Sequence, residues 1–263
     1  MHTEAVIAHI VAWLKDYLHS SRQNGFVVGV SGGIDSAVVS ALCARTGAPV
    51  HCLEMPIHQA PSQVERAQRH IALLMQRHPN VSMRTVQLTG VFDAFVAALE
   101  KGDDVEQTTL ALANTRSRLR MTALYYYAGL HRALVAGTGN KVEDFGVGFF
   151  TKYGDGGVDL SPIADLYKSE VYELGRVLGV GEDIMKAAPT DGLWGDDRSD
   201  ADQIGASYPE LEWAMALRAG NGDTAGLSER QRKVLDIYDL RHAANLHKMV
   251  PIPVCIIPAE LKS

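Results

Sequence analysis

The chain has 263 residues, of which 46% are apolar and 21% charged, and its 25 Lys and Arg against 31 Asp and Glu give a formal net charge of −6. This length suits one α/β domain with its own core, and the apolar content excludes an intrinsically disordered chain. The acidic balance argues against a protein that wraps nucleic acid, because such binding depends on clustered basic residues. A local site for a single nucleotide remains compatible with it.

The cysteines and the N-terminal residues indicate in which cellular compartment the protein is expected. Cys43, Cys52 and Cys255 form neither a CxxC pair nor an even set, so we expect reduced thiols and no cysteine-based zinc site. Residues 1–18 carry apolar side chains at helical spacing and lack the basic start and cleavage site of a signal peptide. No segment approaches the roughly 18 uninterrupted apolar residues of a membrane span. We therefore expect a cytoplasmic protein with no membrane partner.

Short strand-like runs alternate with helical patterns in the first half of the chain. After the N-terminal helix, the predicted strands are 26–30, 50–55, 81–88 and 133–136. The predicted helices are 36–46, 62–77, the region up to 127, and then 165–178, 208–218 and 228–245. Strands joined by helix-length connections predict an α/β fold, a mostly parallel sheet with helices on both faces, followed by a helical C-terminal part. No repeat or long linker divides residues 1–263, which favours a single domain.

Two polar, charged segments, 100–107 and 195–202, contain few residues that could join a core. Segments of this kind are either ordinary solvated loops or lids that close over an active site. The composition is compatible with both, and both alternatives stay open.

The most informative motif is SGGIDS at residues 31–36, which follows an apolar strand and begins a helix. Adjacent glycines let the backbone approach a ligand, and the N–H groups of the turn and of the helix start form an anion cradle. Asp35 would repel a bound phosphate unless a divalent cation lay between them, so the motif predicts a magnesium-bridged polyphosphate. The motif is neither a Walker A loop nor a GxGxxG fingerprint. A plain strand–turn–helix is the simpler alternative.

SGGIDS resembles the loop of the PP-loop ATP pyrophosphatases, which cleave ATP to AMP and pyrophosphate and include GMP, asparagine, argininosuccinate and NAD synthetases. Later motifs favour one of these families. GTGNKVE at 137–143, FFTKYGDGGVDL at 149–160 and PTDGLW at 189–194 resemble the ammonia-dependent NAD synthetases in order and spacing. The resemblance extends from about residue 26 to residue 251, and it implies an adenine nucleotide alpha-hydrolase-like fold.

The resemblance implies an ATP site with magnesium as the cofactor. It assigns to ATP the residues Gly29, Val30, Ser31, Gly32, Gly33, Ile34, Asp35, Ser36, Thr138, Lys168 and Thr190. Asp35 and Glu143 would hold the metal. The residues alone support the loop at 31–36, as argued above, and also Thr138, because a Gly-Thr-Gly turn after a strand places the Thr138 hydroxyl where parallel sheets bind ligands. Without the resemblance, Glu143 and Lys168 are typical surface charges, and Thr190 a simple helix cap.

The resemblance also implies a second set of residues that binds a dinucleotide substrate, namely Arg118, Lys152, Asp159, His247 and Lys248. Three arginines at positions 116, 118 and 120 cannot share one helical face, so we expect only one or two of them to reach the site. Asp155, in a Gly-Asp-Gly-Gly turn, is the candidate catalytic residue, which would bind ammonium and help take its proton.

The implied reaction is the amidation of deamido-NAD with ammonia, through an NAD-adenylate, to give NAD, AMP and pyrophosphate. No Cys–His or Ser–His arrangement is evident, and this chemistry needs no covalent nucleophile. Glutamine-dependent relatives carry an amidase domain of about 200 further residues, so we expect the chain to use ammonia directly or from a separate glutaminase. The family implies a homodimer. The alternatives are a GMP-synthetase-like PP-loop ligase and a catalytically silent nucleotide-binding regulator.

Overall fold

Four short strands form one parallel sheet in the computed structural model, which describes residues 1–100, 102–190, 199–220, 222 and 224–262. The strand order is β3-β2-β1-β4, and each neighbouring pair is parallel. The strands are β1 Gly25–Gly29, β2 Val50–Glu54, β3 Val81–Thr85 and β4 Ala133–Val135. The predicted parallel sheet is therefore confirmed.

Helices cover both faces of this sheet and form the C-terminal part. The α-helices are α1 Thr3–Ser20, α2 Ile34–Arg45, α3 Pro61–Arg77, α4 Thr89–Ala97, α5 Val105–His131, α6 Lys168–Leu178, α7 Glu182–Met185, α8 Asp200–Ile204, α9 Tyr208–Ala219 and α10 Glu229–Met249. A π-helix spans Lys141–Val147, and a 3₁₀ turn spans Ala259–Leu261. Among the residues described, no helix is long and apolar enough to cross a membrane.

The core lies on both sides of β1. Phe26 and Val28 pack with α1, α2 and α6 on one face, whereas Val27 packs with α4 and α5 on the other. Successive side chains of a strand point to opposite faces, and all three are fully buried, so the strand is a continuous apolar run. A separate apolar cluster joins the π-helix to α9 and α10 through residues such as Val147 and Leu211.

Several predicted helix boundaries differ from the structure, and at two of them a cap decides where the helix begins. The helix predicted from residue 165 begins at Lys168, since the backbone N–H of Tyr167 donates to Glu170 Oε2 at 2.8 Å. The region up to 127 contains two helices, and the second begins where Asp104 accepts a hydrogen bond from the N–H of Gln107.

The two segments predicted as loops or lids adjoin helix starts. Positions 105–107 of the first form the opening turn of α5. In the second, positions 195–198 lie outside the described residues, whereas Ser199 caps α8 and accepts a hydrogen bond from the N–H of Asp202. Whether either segment closes over a site stays a prediction.

Candidate active site

The carboxyl ends of β1, β2 and β4 open into a cavity of about 270 Å³. Ligands of parallel α/β sheets bind at this edge, where strand order reverses on either side of the first strand. Every residue that the sequence assigned to ATP lines this cavity, from the loop at 29–36 to Thr138, Lys168 and Thr190. Glu143 and Asp155 line it as well. The structure thus brings residues from separate segments of the chain to one cavity.

The loop at 31–36 is shaped by its own hydroxyl groups. Ser36 Oγ donates to the carbonyl oxygen of Gly33 at 3.0 Å and accepts from the N–H of Ser31 at 3.2 Å. Gly32 has a φ of +83°, and a Cβ there would lie 2.8 Å from the carbonyl oxygen of Gln63, so only glycine fits. The turn and the start of α2 therefore present bare backbone to the cavity, as an anion site requires.

Lys168, Asp35 and Glu143 form the acidic centre of the cavity, the name used below for these three residues. Lys168 Nζ lies 2.5 Å from Asp35 Oδ2 and 2.9 Å from Glu143 Oε1. Its side chain is only 4% exposed. Tyr208 donates its hydroxyl to Glu143 Oε1, and its ring centroid lies 4.7 Å from the ammonium. Three elements, α2, the π-helix and the first residue of α6, meet at this point.

Burial and charge set the protonation of the acidic centre in different directions. Burial, with the charge of Glu143 adding to it, raises the pKa of Asp35 to about 6 despite the nearby Lys168. Burial acts to raise the pKa of Glu143 too, but the Lys168 ammonium and the Tyr208 hydroxyl hold it below its usual value. Burial would lower the pKa of Lys168, yet the two carboxylates keep it above the usual value. Lys168 is therefore charged at neutral pH.

The two carboxylates of the acidic centre suit magnesium. Both contact one cation, the Lys168 ammonium. Within the part of the chain that is described, no group of three or more His, Cys, Asp or Glu residues forms a complete metal cage. Magnesium commonly binds one or two carboxylates and completes its shell with substrate phosphates and water. Asp35 and Glu143 fit such a substrate-completed ion.

Asp155 is held rigidly at the cavity wall. Its Oδ1 accepts from Ser117 Oγ at 2.7 Å and from the N–H of Thr151 at 3.0 Å, while its own N–H donates to Ser117 Oγ. The Thr151 hydroxyl donates in turn to Asn114. Asp155 is exposed at the cavity, and desolvation by the surrounding protein raises its pKa. A carboxylate at this position can accept hydrogen bonds from a small donor in the cavity.

The residues assigned to the dinucleotide lie outside the cavity lining. Four of them form what we call the outer basic cluster: Arg118, Lys152, His247 and Lys248. Lys152 Nζ donates to the carbonyl oxygen of His247 at 2.7 Å, and two nitrogens of Arg118 lie 3.4 Å from the carbonyl oxygen of Lys152. Lys248 donates to the carbonyl oxygens of residues 148 and 150. The cluster ties α5 and α10 to the FFTKYGDGG segment.

Asp159, the fifth residue of that set, lies apart from the other four. Its Oδ1 accepts from the Tyr125 hydroxyl at 2.9 Å, and its Oδ2 accepts from the N–H of Val135 at 2.8 Å. Burial and the bond to Asp159 raise the pKa of that tyrosine. In this structure Asp159 fixes the end of the segment to β4 and to α5.

The three arginines of α5 contact different groups, although Arg116 and Arg120, which are four residues apart, lie on one side of the helix. The Arg116 guanidinium lies 4.9 Å from the ring centroid of Phe92, and Arg118 faces the outer basic cluster. Arg120 is the one that lines the cavity, where its Nε donates to the carbonyl oxygen of Met55 at 3.0 Å. Sequence reasoning selected Arg118 by resemblance and missed Arg120, although the alternating pattern contained it.

Other cavity residues were also missed. Glu54 ends strand β2, is 3% exposed, and its Oε2 has no hydrogen-bond partner among the described residues. A charge at the carboxyl end of a buried strand is a signal that the sequence does contain. Ser117, Asp144 and Tyr208 carried no comparable signal, because only the packing of distant segments brings them to the site.

Comparisons with known proteins show which family the chain is similar to. A family model described as NAD synthase matches residues 6–250. The chain is 38% identical over 226 residues to an NH(3)-dependent NAD(+) synthetase of Carboxydothermus hydrogenoformans, covering 85% of this chain and 90% of that protein. Among solved structures, it resembles the NMN synthetase of Francisella tularensis with a TM-score of 0.83 and 30% identity, covering 98% of this chain and 99% of that one. It also resembles an NH3-dependent NAD synthetase of Campylobacter jejuni, with a TM-score of 0.79, 27% identity and coverage of 97% and 100%.

Proposed function

The chain belongs to the NAD synthase family, and on that premise we propose that it amidates deamido-NAD with ammonia, at the expense of ATP. ATP is split to AMP and pyrophosphate, and a C–N bond is formed, so the enzyme is a ligase. The observation that carries the proposal is the convergence of the SGGIDS loop, Thr138 and the acidic centre on one cavity. A GMP-synthetase-like ligase and a silent nucleotide-binding protein are not favoured by the family to which the chain belongs.

The first half-reaction joins two anions and therefore needs positive charge and exclusion of water. The nicotinate carboxylate attacks the α-phosphate of ATP, pyrophosphate leaves, and an acyl-adenylate results. The backbone N–H groups of the loop at 31–36 and the Lys168 ammonium hold the phosphates in line. Magnesium held by Asp35 and Glu143 supplies further charge neutralisation when bound.

In the second half-reaction ammonia displaces AMP from the acyl-adenylate. Asp155 binds ammonium at the cavity wall and accepts a proton from it, since its carboxylate is fixed by Ser117 and Thr151 and opens onto the cavity. The raised pKa of Asp155 favours this proton transfer. Ammonia is taken from solution or from a separate glutaminase.

The outer basic cluster and Asp159 bind the dinucleotide. The cluster offers cationic side chains beside the FFTKYGDGG segment, and phosphate oxygens are the groups such side chains recognise. The enzyme acts as a homodimer in the cytoplasm, with some of these residues serving the partner's site. Large apolar side chains on the exposed face of α5, such as Tyr126 at 65% and Leu130 at 60% exposure, support a subunit interface there.

A mononucleotide is a second candidate substrate. The solved structure named as an NMN synthetase has the higher TM-score of the two described above, 0.83 against 0.79. The same amidation applied to nicotinate mononucleotide would give NMN, because the two substrates share the reacting pyridine carboxylate.

One assay tests both candidates. The purified protein is incubated with ATP, magnesium and ammonium, and with either deamido-NAD or nicotinate mononucleotide, while the amide product, AMP and pyrophosphate are measured. We expect NAD from deamido-NAD, with AMP and pyrophosphate in equal amounts. If NMN is formed from nicotinate mononucleotide with a higher kcat/KM than NAD is formed from deamido-NAD, the mononucleotide is the preferred substrate. No amide product above a control without enzyme would contradict both. Glutamine in place of ammonium tests the nitrogen source.

A further inference from the structure

Strand β2 ends on a carboxyl group that the mechanism above does not use. Glu54 is the last residue of β2, and it lines the cavity. The residue is buried, and its Oε2 has no hydrogen-bond partner in the described parts of the chain. Buried polar groups normally have a partner, because leaving one without a hydrogen bond costs free energy. A molecule that enters the cavity can supply the partner that the protein does not.

The backbone places Glu54 beside the nucleotide loop. Strands β1 and β2 pair with Gly29 opposite Leu53, and the N–H of Val30 donates to the carbonyl oxygen of Leu53 at 2.8 Å. Neighbouring strands of a sheet lie about 4.8 Å apart, so Glu54 is next to the point where β1 enters the SGGIDS loop. The N–H of Val86 donates to the carbonyl oxygen of Glu54 at 2.8 Å and holds its backbone from the other side. A nucleotide whose phosphates lie on the loop is therefore within reach of Glu54.

The phosphates themselves are not suitable partners for this carboxyl group, because phosphate oxygens are acceptors of hydrogen bonds and carry the wrong charge. Arg66 of α3 also lines the cavity, and its Cβ would lie 3.3 Å from a Cβ built on Gly32 of the loop. Arg66 Nε is also buried and has no hydrogen-bond partner among the residues described, so this nitrogen does not satisfy Glu54 Oε2. The partner of Glu54 is a hydrogen-bond donor elsewhere in the nucleotide.

Apolar side chains flank the same end of the cavity. A Cβ on Gly29 would lie 3.2 Å from Met55 Cε and 3.6 Å from both δ-carbons of Leu124. Met55, Met121 and Leu124 all line the cavity. Ligand pockets combine apolar walls with a few polar groups that fix the orientation of the ligand. An acceptor beside apolar walls suits the flat adenine ring, whose 6-amino group is a donor, better than a ribose, which has little apolar surface.

Resting on the proposed function, we propose that Glu54 accepts a hydrogen bond from the 6-amino group of the adenine of ATP and thereby selects ATP over purine nucleotides with an oxygen at that position. The terminal torsion of a glutamate is soft, so the carboxyl group can turn an oxygen towards the base. A site built to bind a donor rejects an analogue that lacks it, because its own polar group is then left unpaired. Glu54 is a specificity-determining residue and takes no part in the chemical steps.

The first test compares ATP with ITP, which has an oxygen in place of the 6-amino group, at saturating deamido-NAD and ammonium. We expect the unaltered enzyme to prefer ATP in kcat/KM. In Glu54→Gln the ratio of the two kcat/KM values should fall by about tenfold or more, because a glutamine amide can donate to the 6-oxo group. Glu65→Gln, an exposed glutamate of α3 that pairs with Arg69, is the matched control and should keep the ratio. An unchanged ratio in Glu54→Gln would contradict the proposal.

A second variant, Glu54→Leu, separates base recognition from a structural role. Purine riboside triphosphate lacks the 6-amino group and adds no oxygen, so the unaltered enzyme should use ATP about tenfold better or more. Glu54→Leu should use the two nucleotides about equally. Its urea midpoint should not fall, because an apolar side chain replaces a buried carboxyl group that has an unpaired oxygen. Equal losses with both nucleotides and a lower urea midpoint would make the role structural. Loss of a preference for ATP over 2′-deoxy-ATP alone would place the contact at the ribose and overturn the base assignment.

Failure of this proposal is distinguishable from failure of the proposed function. If the unaltered enzyme makes NAD and the Glu54 variants keep its preference among nucleotides, the base assignment is wrong and the function stands. A higher magnesium requirement in Glu54→Gln, with equal effects on ATP and ITP, would make Glu54 a metal ligand and also overturn the proposal. If the unaltered enzyme makes no amide product, the function is wrong. Calorimetric binding of ATP and ITP, with magnesium and without a second substrate, then still decides the role of Glu54.

Discussion

The acidic centre of the cavity and the outer basic cluster are both polar, yet they are built in opposite ways. In the acidic centre, side chains contact side chains: the Lys168 ammonium lies between Asp35 and Glu143 and is nearly inaccessible to water. In the outer basic cluster, Lys152 and Arg118 contact backbone carbonyl oxygens and remain partly or fully exposed. In the acidic centre, attraction between charged side chains holds the residues in place. In the outer basic cluster, hydrogen bonds to backbone carbonyl oxygens hold the cationic side chains.

This difference predicts different responses to mutation. A buried charge that loses its partner is left uncompensated in a poorly hydrated place, which costs stability as well as activity. An exposed cation bonded to a carbonyl oxygen loses little when it is removed, so only the binding of a ligand should suffer.

The largest effect is expected for Lys168→Met. Removing the ammonium leaves Asp35 and Glu143 facing each other without a cation, and breaking a buried ion pair in this way costs about 3–5 kcal/mol. Urea denaturation should show that loss, and amide formation should fall sharply. Lys141→Met is the control, because its pair with Asp165 is exposed and should contribute less than about 1 kcal/mol. If the two variants were equally stable, the buried ion pairs of Lys168 would contribute no more to stability than the exposed pair of Lys141.

The second prediction concerns acid. His70 is buried beneath the nucleotide loop's helix, its Nε2 lies 2.9 Å from Ser40 Oγ, and burial lowers its pKa to about 4. The unfolded chain takes up a proton near pH 6.5 whereas the folded one does not, so stability falls as the pH drops from about 6.5 to 4. The loss should approach about 3 kcal/mol. His70→Gln keeps a hydrogen-bonding group without a titration, and its urea midpoint should change less over this range. An identical pH dependence would show that other groups are responsible.

The third prediction separates catalysis from stability within the acidic centre. Asp35→Asn removes one of two carboxylates that share a single ammonium, so Lys168 keeps Glu143 as its partner. We expect near-normal stability but a fall in kcat of about 100-fold, because charge neutralisation at the phosphates is lost. The fall should not be recovered by raising ATP. A normal kcat in this variant would contradict the assignment of Asp35 as a magnesium ligand.

The nucleotide loop was predictable because its chemistry is contiguous. Residues 31–36 follow one strand and begin one helix, so their hydrogen bonds, such as Ser36 Oγ to the carbonyl oxygen of Gly33, span only three positions. The strand β1 was equally predictable, since burial on both faces produces an uninterrupted apolar run.

The rest of the site depends on packing between distant segments. Tyr208 and Glu143 are 65 positions apart, as are Arg120 and Met55, and neither pair leaves a periodic or local pattern in the sequence. The π-helix is a second example, because a wider turn is fixed by contacts with α9 and α10 and not by the propensity of its residues. Resemblance supplied Glu143 and Lys168, whereas Arg120, Tyr208 and Asp144 required the structure.

The smallest effect is expected in the outer basic cluster, where Arg118→Ala should leave stability within about 0.5 kcal/mol. Among the described residues, its guanidinium makes only long hydrogen bonds, of 3.4 Å, to one carbonyl oxygen. If it binds the dinucleotide, KM for deamido-NAD should rise about tenfold while KM for ATP is unchanged, since losing a charged contact to phosphate is worth roughly 1.4 kcal/mol or more. Arg116→Ala, on the other side of α5 beside Phe92, is the control and should leave both KM values unchanged. Equal effects on both substrates would mean that the two regions act as one site, and the contrast between them would not hold.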